Sequence, residues 1–207
     1  MQYKRIAVLV SGSGSNLQAL INNQKKKFNG EIVLVFSNIK KAYALERARE
    51  NNIETAYLSK KDFDSAEDYD KKLVEILEEQ DVDLIVLAGY LRIITPVLIE
   101  RYKNRIINIH PSLLPSFGGV GYYGIHVHEK VLERGCKVTG VTVHFVDEEA
   151  DAGPIILQRA IEINQDWTSE DLQKEVLKIE HLILSDAVEL FCDDRLVIED
   201  KRVFIKE

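Results

Sequence analysis

The chain has 207 residues, 45% hydrophobic and 29% charged, with a formal net charge of −7. That balance fits a soluble globular protein: no apolar run approaches the roughly 20 residues needed to cross a bilayer, and no Lys/Arg stripe alternates with aromatics as a nucleic-acid surface would require. The two cysteines, Cys136 and Cys192, form neither a CxxC motif nor a disulfide framework, and the Met-Gln-Tyr-Lys-Arg start carries no secretory apolar region, so a cytoplasmic location is expected.

Residues 5–10 (RIAVLV) are a continuous apolar run, the pattern of a buried parallel strand. They end in Ser11-Gly12-Ser13-Gly14-Ser15-Asn16, after which Leu17, Leu20 and Ile21 recur at helical spacing. Strand, glycine loop and helix together offer backbone N–H groups and a helix N-terminus to an anion. A dinucleotide site is disfavoured, because Leu17 stands where the third glycine belongs and the strand over 32–36 ends in Ser37-Asn38 rather than a carboxylate. No Gly-Lys-Ser/Thr follows, so Walker A is excluded as well. A single phosphate monoester fits best.

A helix is expected over 42–51, a short strand over 55–58 and a second helix over 66–79 with Leu73, Ile76 and Leu77 on one face. Residues 82–88 (VDLIVLA) read as a central strand. They lead into Gly89-Tyr90-Leu91-Arg92-Ile93-Ile94, a loop whose apolar side chains and main-chain polar groups suit a flat heteroaromatic ring. Thr95-Pro96 reads as an N-cap with proline at the first helical position.

Ile106, Ile107 and Ile109 form another buried strand, in which Asn108 and His110 lie two apart and share a face. Pro111 ends the ladder. Four glycines between 117 and 124 indicate a lid-like loop, and 126–134 is helical. His126 and His128 invite a zinc reading with His110 and His144, but no H-E-x-x-H and no cysteine pair accompanies them, and no metal is expected. The strand over 138–146 has one polar face carrying Thr142 and His144. It ends in four carboxylates between 147 and 151, and Gly153-Pro154 then reverses the chain into an antiparallel strand over 155–163. Thr168 caps a long helix reaching about residue 191, and 195–205 closes as a hairpin. With no repeat or linker, residues 1–207 read as one domain. The expected class is α/β: a Rossmann-like, doubly wound, mostly parallel sheet with helices on both faces and an antiparallel C-terminal portion.

GSGSN after the first strand, AGYLRI after the central one, NIHPSLLP, and VHFVDEEADAGPIILQ occur in that order over essentially the whole chain. The sequence thereby resembles the 10-formyltetrahydrofolate hydrolase and transferase superfamily, and GSGSN places the resemblance in its glycinamide ribonucleotide branch. The resemblance implies that Gly14, Ser15 and Asn16 hold a ribose phosphate and that Glu180 contacts the glycinamide part. It implies that Leu91, Arg92, Ile93 and Ile94 hold the folate, largely by main-chain groups, with Asn108 beside it, and that Asn108, His110 and Asp151 are catalytic. Leu177, Ala66 and Gly118 depart from residues frequent in the family. The implied substrates are glycinamide ribonucleotide and 10-formyltetrahydrofolate, in a monomer or homodimer that uses no metal.

The groups themselves fit amine attack on a formyl carbon. Asn108 and a protonated His110 would donate to the developing oxyanion, and Asp151 would hold His110 protonated and relay a proton. Hydrolysis of the same folate is the sister activity; its enzymes carry an added regulatory domain before the catalytic one. Formyl transfer to methionyl-tRNA would need an added C-terminal domain. A non-catalytic phosphometabolite sensor would need the phosphate loop but not the trio.

Overall fold

The apolar runs become strands because each is long enough to be covered on both sides. In the computed structural model, which describes residues 3–207, Ile6, Val8, Leu9 and Val10 are almost wholly buried. The chain falls into two compact units, the first ending at Ile107 and the second running from Asn108 to Glu207.

The first unit contains β1 (Lys4–Val10), α1 (Ser15–Lys27), β2 (Gly30–Ser37), α2 (Tyr43–Glu50), β3 (Glu54–Tyr57), a 3-10 turn (Lys60–Asp62), α3 (Ala66–Glu79), β4 (Leu84–Leu87) and α4 (Pro96–Arg101). Its strands lie in the order β3-β2-β1-β4, and every pairing is parallel. Because β1 leads to β2 and β3 on one side while β4 sits on the other, right-handed crossovers place α1 and α2 on one face and α3 on the opposite one. The packing agrees: α1 contacts α2, and α3 contacts α4. The order reverses between β1 and β4, so a crevice opens at their carboxyl ends.

The strand β5 (Ile106–His110) carries the chain into the second unit, which holds α5 (Ile125–Glu133), β6 (Val138–Phe145), β7 (Ile155–Glu162), α6 (Ser169–Cys192), β8 (Leu196–Glu199) and β9 (Arg202–Ile205). β6 and β7 are antiparallel, β8 and β9 form the expected hairpin, and β9 joins β7 in parallel through Ile155 and Arg202. Gly140 is required where β6 and β7 meet, since a Cβ there would collide with the Arg159 carbonyl oxygen. The start of α6 is fixed by a reciprocal capping box: Thr168 Oγ1 accepts from Asp171 N–H while the Asp171 carboxylate accepts from Thr168 N–H. Parallel strands with helices on both faces at the N-terminal end and an antiparallel C-terminal portion are the class read from the sequence.

Candidate active site

In the first unit the loops after β1 and β4 flank the strand-order reversal and are tied together. Ser11 N–H donates to the Gly89 carbonyl at 3.1 Å, and Leu91 N–H donates to Ser11 Oγ at 2.9 Å. Ser11 Oγ also donates to Asn38 at the end of β2, 2.6 Å away. Gly14 is the N-cap of α1 with a φ of +74°, the left-handed region that favours glycine. It also lets α2 approach, because a Cβ there would lie 2.6 Å from that of Ala44. The first helical bond is Gln18 N–H to the Gly14 carbonyl, so the N–H groups at Ser15 and Asn16 stand outside the ladder at the positive end of α1. Arg47 is turned onto the loop, its Nε donating to the Ser13 carbonyl at 2.8 Å. The loop thus has the strand, glycine turn and helix N-terminus expected of GSGSN.

The loop after β4 divides its side chains. Leu91 and Ile93 are 59% and 70% exposed, whereas Ile94 is buried. Arg92 turns inward: Nη1 donates to Asp70 Oδ1 at 2.6 Å, Nη2 to the Ala66 carbonyl at 3.1 Å, and the guanidinium lies 4.0 Å from the Tyr69 ring centroid. Asp70, wholly buried on α3, also accepts from Thr95 N–H at 2.6 Å. The side chain of Arg92 therefore clamps the loop, while Leu91 and Ile93 stay exposed. Thr95 occupies the N-cap position of α4 as expected, but its side chain makes no capping bond. The Asp70 carboxylate anchors its backbone instead. Nothing local in the sequence pointed to Asp70, which contacts residues 22 and 25 positions away.

In the second unit the three residues expected to be catalytic come together. β5 presents Asn108 and His110 on one face, and Pro111 turns the chain into a segment stapled to β6. Thr142 Oγ1 donates to the Ser112 carbonyl at 2.7 Å and accepts from Leu114 N–H at 3.0 Å, while Gln158 Nε2 donates to the Leu114 carbonyl at 3.0 Å. Asp151 has a left-handed φ of +57° and is placed by the chain reversal after it. Phe145 N–H donates to the Pro154 carbonyl at 2.9 Å, and Gly153 fits because a Cβ there would collide with the Phe145 carbonyl oxygen. Asp151 Oδ2 lies 3.5 Å from His110 Nδ1 and accepts from Gly119 N–H at 2.9 Å. Asn108 Nδ2 is 3.4 Å from Asp151 Oδ1 and 3.1 Å from His144 Nε2. His110 Nε2 sits 2.7 Å from the Phe117 carbonyl, to which it donates.

The electrostatics correct one expectation. His110 is lowered from its ordinary 6.5, because burial outweighs the upward pull of Asp151 and of the Phe117 carbonyl. Burial raises Asp151, but its polar neighbours, the hydrogen bond from Gly119 N–H among them, hold its carboxyl below the ordinary range. The ground state is thus a carboxylate beside a neutral imidazole, not an ion pair.

Glu180 lies buried on α6. His126 is on the surface against Glu129 at 2.8 Å. His128 is buried, and its Nδ1 has no hydrogen-bond partner among the described residues. The residue that the sequence reading left without a role is His144. The alternation of β6 put it on the polar face, yet its contact with Asn108 spans 36 positions and leaves no local trace.

The sequence model of the formyl transferase family matches residues 4–188. Phosphoribosylglycinamide formyltransferase of Escherichia coli (strain K12) is 40% identical over 201 residues, covering 97% of this chain and 92% of the relative. The crystal structure of glycinamide ribonucleotide transformylase 1 from Symbiobacterium toebii superposes with a TM-score of 0.95 at 41% identity, covering 100% of this chain and 96% of the other. A formyltetrahydrofolate deformylase from Pseudomonas syringae pv. tomato has a TM-score of 0.89 at 25% identity, with all of this chain matching 67% of that one.

Proposed function

This chain belongs to the formyl transferase family, and we propose that it transfers the formyl group of 10-formyltetrahydrofolate to the amine of glycinamide ribonucleotide, a step of purine biosynthesis. The family match runs through both compact units, which supports reading residues 1–207 as one formyltransferase domain. The observation that carries the reading is that the Asp151 carboxylate lies 3.5 Å from His110 Nδ1 and 3.4 Å from Asn108 Nδ2.

In this proposal the amine lone pair attacks the formyl carbon, a C–N bond forms, and the carbonyl electron pair moves onto oxygen. One Asn108 Nδ2 hydrogen meets that oxygen, since its present contact with Asp151 is long for a hydrogen bond. His110 Nε2–H passes its bond from the Phe117 carbonyl to the same oxygen, because an oxyanion is the stronger acceptor. Asp151 takes the proton from the attacking nitrogen and delivers it, directly or through water, to the folate nitrogen as the bond from that nitrogen to the formyl carbon breaks. Gly14, Ser15 and Asn16 hold the ribose phosphate, and Glu180 meets the glycinamide. Leu91, Ile93 and the main chain of Arg92 and Ile94 receive the pterin.

The test is an assay of purified protein with both substrates. Tetrahydrofolate release that requires glycinamide ribonucleotide and yields its formyl derivative is expected. Formate release without the nucleotide would replace transfer by hydrolysis, and binding of the nucleotide without turnover would reduce the chain to a sensor.

A further inference from the structure

We propose that His144 is a positioning residue for Asn108, keeping the amide turned so that its N–H group rather than its oxygen faces the reacting formyl group. The inference rests on the transfer reaction proposed above and concerns a side chain outside the catalytic trio. His144 is buried near the end of β6. Its Nδ1 is 2.8 Å from the Phe145 carbonyl oxygen, which can only accept, so Nδ1 carries the hydrogen. Its Nε2 lies 3.1 Å from Asn108 Nδ2, which can only donate, so Nε2 presents a lone pair. One tautomer satisfies both contacts.

The alternative is a hydrogen on Nε2 directed at Asp151 Oδ1. That distance is 3.6 Å, too long for a hydrogen bond, and Asn108 Nδ2 would then face a second donor. The observed pairing wins on distance and on donor count.

The consequence falls on the second amide hydrogen. With one Nδ2 hydrogen held by His144, the planar amide fixes the direction of the other, whose only contact among the described residues is the 3.4 Å approach to Asp151. Without His144 the amide can rotate and place Oδ1, an acceptor, against an oxygen gaining negative charge. The anchor is itself anchored. The Phe145 carbonyl that fixes the His144 tautomer is the one against which Gly153 packs, two residues after Asp151.

Two variants and one spectrum test this. His144→Phe keeps a ring but cannot accept a hydrogen bond, whereas His144→Gln can accept one through its side-chain oxygen. His144→Phe should lower kcat by about 100-fold, the loss typical of one oxyanion donor, with both KM values nearly unchanged. His144→Gln should recover most of the turnover. In the unsubstituted protein, ring ¹⁵N shifts of His144 should report hydrogen on Nδ1 and a bare Nε2, a readout that needs neither substrate nor a folded variant. Hydrogen on Nε2, kcat unchanged in His144→Phe, or equal losses in the two variants would each overturn the proposal. Absence of formyl transfer by the unsubstituted protein would instead overturn the proposed function, while the spectrum would still decide the His144 geometry.

Discussion

Acid should weaken this protein through His128, and replacing that residue should remove the effect. His128 is 1% exposed on α5, which packs against α6, and its Nδ1 has no hydrogen-bond partner among the described residues. Burial, with the nearby His110 charge adding to it, lowers its pKa from 6.5 to about 4. The folded state therefore resists a proton that the unfolded chain accepts below about pH 6.5. Stability contributed by the neutral histidine is full above that pH and falls between about 6.5 and 4, where the unfolded state binds more protons. Roughly 1.5 pH units below 6.5, near pH 5, the loss is about 2 kcal/mol at about 1.4 kcal/mol per unit. For a chain of this length that corresponds to a fall of about 4–8 °C in Tm. His128→Leu has no proton to resist and loses no buried hydrogen bond, so near pH 7.5 its Tm should be close to that of the parent. His110 and His181 are also lowered by burial and act on both proteins. The His128 share is therefore the difference between the two Tm shifts from pH 7.5 to pH 5, read by calorimetry or circular dichroism. Equal shifts in parent and variant would refute the reasoning.

Asp70→Asn should cost about 3 kcal/mol in urea unfolding, the loss expected when one partner of a buried ion pair is removed, and should raise KM for the formyl folate more than it lowers kcat, because Arg92 and Thr95 lose their common anchor. Replacing Ser15 and Asn16 by alanine should raise KM for the nucleotide by about 10–100-fold, as loss of hydrogen bonds to a charged group implies, with KM for the folate unchanged; parallel increases in both would make the loop structural. Asp151→Asn should lower kcat by about 10²–10⁴-fold, the range for a positioned acid or base, and lower the His110 pKa further, because Asp151 is what pulls it upward. NMR titration of His110 in both proteins measures the second effect, and an unmoved pKa with near-normal turnover would leave Asp151 a turn residue.

What was legible in the sequence was local. The bounds of α3 agree with the reading of residues 66–79 because Ser65 caps it by accepting from Asp68 N–H at 3.0 Å, a signal contained within four residues. The Asn108–His110 pair needed only strand alternation, and the anchoring of Asp151 only the Gly-Pro turn beside it. What was hidden is long in range. Thr95 looks like a side-chain cap, yet its anchor is Asp70, which arrives from another helix. Arg92 reads as a possible ligand contact, yet its charge is spent on that same carboxylate. His144 shows its face but not its partner. The sequence also gives no measure of how strongly the fold desolvates His110, and desolvation is what reverses the expected direction of its pKa.

In the proposed transfer, that reversal changes when Asp151 acts. Were His110 already an imidazolium, the ion pair would exist before substrate bound, and its attraction would stabilise ground state and transition state alike. An interaction of equal strength in both does not raise kcat. With burial dominant, His110 enters as a neutral N–H donor near pH 7, and Asp151 waits 3.5 Å from its other ring nitrogen. Negative charge growing on the formyl oxygen strengthens the bond from Nε2–H and draws its proton toward oxygen. Proton loss from the attacking amine, taken up by Asp151, develops in the same step. The contacts of both side chains therefore strengthen as the tetrahedral intermediate forms. Under the proposed mechanism, burial of His110 is what reserves the electrostatic gain for the transition state.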